Sequence, residues 1–122
     1  MHIMACTGGM AELSQTRGDT VGYTFQRLNA EGQVITTAPQ SLYFTVKHKF
    51  TDKEAVLQKK MDEMTMDEDG TWHFVLQSED TESLDYGVYV YDIQVTDNDA
   101  VTTIAKGNLK LTGEATWAAN EG

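Results

Sequence analysis

The stretch at residues 84–95 constrains the fold of this chain more than any other feature. Its large apolar residues recur at every second position, which is the period at which side chains share one face of a β-strand. The residues on this face are Tyr89, Tyr91, Ile93 and Val95, and polar Asp92 and Gln94 lie between them. The alternation predicts a central antiparallel strand with one face buried in a core.

Similar alternation marks three further strands. Each combines aromatic, β-branched or leucine residues on one face with mostly polar residues on the other. The inward sets are Val21, Tyr23 and Phe25; Leu42, Phe44 and Val46; and Trp72, Phe74 and Leu76. Shorter strands are expected at residues 33–36, 101–105 and 108–112, and residues 55–60 fit either a strand or a helical turn.

Turn residues separate these strands at the spacing of a β-sandwich. Gly32, Gly70 and the sequence Asp97-Asn98-Asp99 tolerate backbone angles that most residues avoid. The acidic run at residues 79–84 predicts one short helical turn, with Ser78 or Asp80 as its N-cap. Roughly seven or eight short strands therefore predict an all-β antiparallel sandwich.

Length and composition limit the chain to one folded domain. With 122 residues and a single proline, it is long enough for one core but not for two. We expect the sandwich to occupy residues 17–116. Residues 1–16 are expected to form an N-terminal arm with room for an edge strand near residues 3–7, and residues 117–122 a C-terminal tail.

The charge of the chain argues against two classes of partner. Its formal net charge is −10, whereas binding to nucleic acid or to an anionic membrane depends on clustered Lys and Arg. We therefore expect neither partner. Cys6 is the only cysteine, so the chain needs no oxidising compartment to fold and a cytoplasm suits it.

Several short motifs, taken in order along the chain, resemble one family. They are Arg17-Gly18-Asp19-Thr20, Glu31-Gly32, Leu42-Tyr43-Phe44-Thr45-Val46-Lys47, Asp69-Gly70 before Trp72, Leu84-x-x-Gly87-x-Tyr89-x-Tyr91-Asp92-Ile93, Thr103-Ile104 and Gly107-x-Leu109. Their order and spacing over residues 17–116 resemble the N-terminal domains of phage baseplate upper proteins and related immunoglobulin-like modules of phage and prophage tails.

One of these motifs also resembles a signature of immunoglobulin domains. The spacing Asp85-x-Gly87-x-Tyr89-x-Tyr91 looks like strand F of those domains, where the tyrosine hydroxyl bonds to backbone a few residues upstream. Tyr91 stands where that strand carries its disulfide cysteine. The resemblance implies an immunoglobulin-like sandwich held together by packing alone.

The resemblance also implies a role. The chain would be a non-enzymatic structural or assembly module of a phage or prophage particle, without a cofactor, in the tail, the baseplate or a head–tail accessory position. It would contact other phage structural proteins, form a homo-oligomer, assemble in the bacterial host cytoplasm and reside in the virion. The sequence ends at Gly122 without the family's helical linker and receptor-binding part, so a free-standing accessory protein is also expected to fit.

Other patterns that suggest a site are better explained as turns. The tripeptide Arg17-Gly18-Asp19 matches an integrin-binding motif, but it directly precedes a strand, where Gly18 can form the bend. The acidic turns at residues 67–70 and 97–99 could offer oxygen ligands to Ca²⁺, yet neither matches a complete EF-hand loop. We therefore expect no metal site.

Residues that could carry catalysis do not converge in the sequence. The three histidines are far apart, and Cys6 lies in the expected arm without a positioned base and orienting partner. Carboxylates are abundant, but abundance in an acidic chain does not define a site. We therefore expect no enzyme activity.

Aromatic and methionine residues are the candidate interaction surface, because such residues are common at protein interfaces. They are Tyr43, Met61, Met64, Tyr86 and Trp117. Trp117 either folds back onto the sandwich or anchors a neighbour, and the methionines either fill a core edge or form an adaptable contact. The alternative function is a carbohydrate-binding adhesion module, in which at least two of Tyr43, Tyr86 and Trp117 would form a coplanar stacking platform.

Overall fold

Ten β-strands lie within the residues that the computed structural model describes, which are 2–6, 9–10 and 12–113, with side chains from residue 12 onward. The strands are β1 (His2–Cys6), β2 (Gly9–Met10), β3 (Leu13–Thr16), β4 (Val21–Arg27), β5 (Ser41–Lys47), β6 (Leu57–Lys60), β7 (Thr65–Met66), β8 (Thr71–Leu76), β9 (Gly87–Asp97) and β10 (Ala100–Thr112). A 3-10 helix, Met61–Glu63, and a single α-turn, α1 (Ser78–Thr81), complete the elements. The all-β prediction with one short helical turn is confirmed.

The strands form two sheets. The small sheet has the order β1-β4-β8-β7, and the large sheet has the order β6-β5-β9-β10, with β2 and β3 both paired to the other edge of β10. Strands β1, β2 and β3 pair in parallel with their neighbours, and the remaining pairs are antiparallel. The N-terminal segment therefore contributes strands to both sheets.

The core is a layer of aromatic and aliphatic side chains between the sheets. Phe44 of the large sheet lies 4.7 Å from Phe74 of the small sheet, and 5.6 Å from Tyr91, measured between ring centroids. Tyr23 stacks on Phe74 at 5.5 Å. The inward sets of the four strongly alternating strands are buried except for Val21, which packs partly buried against the core. The packing of these faces therefore defines the sandwich.

Three turns have the geometry that their residues favour. Gly32 and Gly70 adopt positive φ angles of 82° and 90°. Asn98 and Asp99 also have positive φ angles and connect β9 to β10 as a two-residue hairpin loop. Positive φ at both central positions is the requirement of a type I′ turn, whose twist matches the flanking strands.

Three local features differ from the sequence-based expectation. The strand expected at residues 33–36 is reduced to a single bridge between Leu28 and Val34. The two strands expected at 101–105 and 108–112 are one continuous strand, β10, with a register shift between Thr103 and Ala105. Gly107 remains in the strand, although glycine has a low strand propensity, because it pairs with Tyr91 in the ladder between β10 and β9.

The third difference is the start of α1. Gln77 is the N-cap residue, and its backbone N–H donates a hydrogen bond of 2.7 Å to the carboxylate of Asp80. Neither Ser78 nor Asp80 is the N-cap, because the helical turn begins one residue earlier than an N-cap at Ser78 would allow. Asp80 is instead the third residue of the helical turn, and its carboxylate accepts the hydrogen bond from the N-cap backbone, as in a capping box.

Candidate interaction surfaces

The outer face of the large sheet is formed by the outward side chains of β10, β9, β5 and β6. The strand register determines which of them are neighbours. Tyr43 lies opposite Gln94 on one side and Lys60 on the other. Asp92 lies between Lys106 and Thr45. Side chains from four strands therefore share one open surface.

A shallow groove of about 210 Å³ lies beside Tyr43 on this outer face. One wall is formed by the start of β5 and the residue before it, Gln40. The other wall is formed by Lys60, Met61 and Asp62. The Tyr43 side chain is 37% exposed, and Met61 is half-buried against the core. The structure thus brings two of the candidate interaction residues, Tyr43 and Met61, to one groove.

A second, smaller depression lies further along the same face. It is lined by Phe50, Lys47, Val90 and Asp92, together with Thr45 and Tyr91. Burial raises the pKa of Asp92, and the nearby Lys47 opposes that rise. The outer face therefore combines exposed apolar groups with lysines around one partly buried carboxylate.

Tyr86 lies in the turn before β9 and is engaged by Arg17. The guanidinium group of Arg17 lies 4.2 Å from the centroid of the Tyr86 ring and donates a hydrogen bond of 3.1 Å to its hydroxyl. A second nitrogen of Arg17 donates to the Leu84 carbonyl oxygen at 3.2 Å. Because the arginine binds within the fold, the tripeptide that begins at Arg17 has a structural role here.

The same turn contains the hydrogen bond expected from the immunoglobulin signature. The hydroxyl of Tyr89 donates to the backbone carbonyl of Asp85 at 2.8 Å. Gly18, with a φ angle of 84°, forms the predicted bend, and its N–H donates to the buried hydroxyl of Thr81 at 2.8 Å. These bonds fix the loops at this end of the sandwich.

The remaining candidate residues do not join Tyr43. Tyr86 directly precedes Gly87, whereas Tyr43 pairs with Gln94, seven residues along β9, which corresponds to about 23 Å at the rise of a strand. These two tyrosines therefore do not form one stacking platform for a sugar. Met64 is buried in the core, and Trp117 lies outside the described residues.

One end of the sandwich is acidic. The turns at residues 29–32, 67–70 and 97–99 meet there, as shown by the close approach of Gly70 to Ile35 and by the contact at 3.6 Å between Asp97 and Arg27, which ends the strand before residues 29–32. We define the acidic end by its carboxylates, which are Glu31, Asp67, Glu68, Asp69, Asp97 and Asp99. The acidic end borders the outer face at Gln40, which lines the groove beside Tyr43, but its carboxylates lie at the strand ends and in the turns.

Carboxylates of the acidic turn before β8 have local partners within the fold. The backbone N–H of Thr71 donates to the Asp69 carboxylate at 3.0 Å, and this bond lowers the pKa of Asp69. Asp67 lies 2.7 Å from the His73 ring nitrogen. Within residues 12–113, no group of three or more His, Cys, Asp or Glu side chains is arranged to hold a metal ion.

The contacts of several buried polar residues were not predicted from the sequence. Arg27 donates to the Thr37 carbonyl oxygen at 2.6 Å and lies 3.6 Å from the Asp97 carboxylate, linking the small sheet to the hairpin of the large sheet. Tyr23 donates to the side chain of Gln15 between the sheets. The signal for Arg27 was present, because it continues the inward period of Val21, Tyr23 and Phe25.

A further ion pair connects the edge strand β6 to α1. Lys59 of β6 lies 2.9 Å from Asp80 of α1, and both side chains are largely buried. Lys59 takes an inward position in β6, between the outward Gln58 and Lys60. No helix in the part of the chain that the structure describes is long and apolar enough to cross a membrane.

Comparison with solved structures finds the same fold in a phage protein. The N-terminal domain of phage TP901-1 ORF48 aligns with a TM-score of 0.52 at 10% sequence identity, over 91% of this chain and 98% of that one. At this identity the similarity concerns the fold. No family model and no curated protein matches the sequence. The expected resemblance to a phage protein domain is thereby confirmed at the level of the fold.

Proposed function

We propose that this chain is a non-enzymatic structural module of a phage or prophage particle that acts through protein–protein contacts. The observation that carries the proposal is the shared fold with a phage domain over nearly the whole of both chains. The partners are other phage structural proteins and further copies of the chain. The site of action is the virion, in the tail, the baseplate or a head–tail accessory position, after assembly in the host cytoplasm.

The physical character of the chain supports this role. Two sheets packed through aromatic side chains form a rigid body, and exposed apolar groups with lysines remain on one outer face. Such a face suits attachment to another protein. The net charge of −10 disfavours nucleic acid and anionic membranes as partners.

A stop codon early in the reading frame tests the proposal. We expect particles assembled without the chain to lack a visible structure or to lose infectivity, and supply of the intact chain from a plasmid should restore both. A synonymous codon change at the same position is the matched control. Particles of normal appearance and normal titre in the absence of the chain would contradict the proposal.

A further inference from the structure

We propose that the outer face of the large sheet binds the acidic end of a second copy of this chain, so that copies associate head to tail. The inference rests on the proposed function, because it names one partner and one contact of the structural module. Two independent properties of the outer face support it, namely its exposed apolar groups and its charge.

Exposed apolar groups concentrate on the outer face. Six large hydrophobic side chains of the described residues are more than a third exposed. Four of them belong to this face, namely Tyr43, Val88, Val101 and Phe50. Val88 pairs with Lys110, Val101 with Thr96, and Phe50 lines the depression beside Val90. Phe50 and Val88 lie toward one end of this face and Tyr43 and Val101 toward the other, so exposed apolar groups occur along its length. An exposed apolar surface of this kind suits a protein partner.

The charge of the outer face is opposite to that of the chain. The chain has 9 basic and 19 acidic residues, yet the outward positions of β5, β6, β9 and β10 carry four lysines and one carboxylate, Asp92. Two further carboxylates border the face, namely Asp62 in the groove beside Tyr43 and Glu12, which accepts a hydrogen bond from Asn108, so lysines still outnumber carboxylates there. The lysines are Lys47, Lys60, Lys106 and Lys110, placed by their pairing with Val90, Tyr43, Asp92 and Val88. The face therefore fits an acidic partner surface.

The chain itself carries such a surface at its acidic end. All six carboxylates there belong to exposed residues, and five of them, including Glu31, Glu68 and Asp99, lie in turns. The basic residue near them, Arg27, is 4% exposed and already contacts Thr37 and Asp97. Its charge is therefore directed into the fold, and the end presents negative charge to a neighbour.

The geometry determines the type of assembly. The outer face and the acidic end are different surfaces of one molecule, so the contact is heterologous and each copy can take part in two contacts. Four strands spaced as in any sheet give a width of roughly 15 Å, and the eight residue steps from Val88 to Thr96 give a length of roughly 26 Å. A face of this size is small for a stable pair. We therefore expect a weak single contact and larger assemblies only where the contacts close into a ring.

Sedimentation of the full chain with two double variants tests the inference. Wild-type protein should self-associate at about 100 µM in low salt, and the contact should weaken by about tenfold or more at about 0.5 M NaCl, because salt screens exposed charges. Lys106→Glu with Lys110→Glu should abolish association through the face. Glu31→Lys with Glu68→Lys should abolish it through the acidic end.

Mixing the two double variants gives the sharpest result. Each should be monomeric alone, but the mixture should associate in a one-to-one ratio, because one variant keeps the acidic end, the other keeps the outer face, and the two reversed surfaces are also opposite in charge. A symmetric dimer through a single patch would not be restored in this way. Two monomeric variants that stay monomeric when mixed would overturn the inference.

A charge-matched variant elsewhere serves as the control. Glu79→Lys with Glu82→Lys makes the same charge change as the acidic-end variant, at exposed positions in and just after α1, at the opposite end. This variant should associate as the wild type does. A wild-type chain that is monomeric at about 100 µM would overturn this inference alone, since the particle experiment tests the proposed function separately.

Discussion

The hydroxyl of Tyr89 donates a hydrogen bond of 2.8 Å to the backbone carbonyl of Asp85, four residues upstream. This bond ties the turn before β9 to the strand that lies between β5 and β10 in the large sheet. The turn also contains Tyr86 and its partner Arg17. The bond therefore connects the central strand to the loops at the end opposite the acidic one.

Replacing Tyr89 by Phe removes this hydrogen bond and keeps the buried ring. We expect the free energy of unfolding to fall by about 1 kcal/mol, the usual net contribution of such a bond. Urea denaturation measures the change. Tyr43→Phe, at an exposed tyrosine of the same sheet, is the control and should change stability by less than about 0.5 kcal/mol. Equal effects of the two substitutions would contradict a role for the Tyr89 hydroxyl.

The packing of Phe44 between the sheets predicts a larger effect. Its ring is fully buried against Phe74 and Tyr91, so Phe44→Leu leaves part of that space unfilled. We expect a loss of about 1–2 kcal/mol, since large-to-small changes in a core combine lost transfer energy with a cavity. Phe50→Leu, at a half-exposed ring, should be nearly neutral. A neutral Phe44→Leu would show that the sheets do not pack through this residue.

The buried hydroxyl of Tyr23 predicts a pH dependence. Burial, with a smaller contribution from Tyr91, raises the pKa of Tyr23 to about 12 from 10.0. The folded state therefore holds this proton more tightly than the unfolded state does. Its contribution to stability is complete below about pH 10 and is lost as the pH rises to about 12, by up to about 3 kcal/mol.

Denaturation curves between pH 9 and about 12 test this dependence against the variant Tyr23→Phe. The variant loses the hydrogen bond to Gln15 and should be less stable at pH 9, but its stability should fall less steeply above pH 10. Parallel curves for the wild type and the variant would show that Tyr23 does not cause the loss.

Two glycines with similar backbone angles separate conformational strain from steric overlap. At Gly70, an added Cβ would lie 2.7 Å from a methyl carbon of Val34 and 2.8 Å from the carbonyl oxygen of Ile35, whereas the same atom at Gly32 meets nothing within 4 Å. We expect Gly32→Ala to cost about 1 kcal/mol, the strain of a positive φ angle. Gly70→Ala should cost at least about 1 kcal/mol more. Thermal melting compares them, and equal losses would contradict the close approach of the two turns.

Much of the fold could be predicted from the sequence, because four strands alternate strongly and their turns use residues suited to positive φ. Strand β9 and its hairpin to β10 were predicted with their buried face and turn residues. Pairing between distant segments could not be predicted. The parallel ladder that joins β3 to β10 depends on contacts across most of the chain, and no local pattern encodes it.

The candidate surface was predictable only in part. Exposed Tyr43 and half-buried Met61 fall in one groove, but only the register of β5 with β6 brings Lys60 beside them. Met64 lies three residues from Met61 and is the same residue type, so the sequence gives no ground to distinguish them, yet Met64 is buried in the core. The lysine pattern of the outer face emerges from four strands that are separate in sequence, so it becomes visible only when the ladders are known.

Quantitative mass spectrometry of purified particles tests the central claim most directly. If the chain is a structural module of a virion, its amount relative to the major capsid protein should stay constant through successive density gradients and salt washes. A ratio that falls toward zero as the particles become purer, with the chain recovered in the soluble lysate, would contradict the claim.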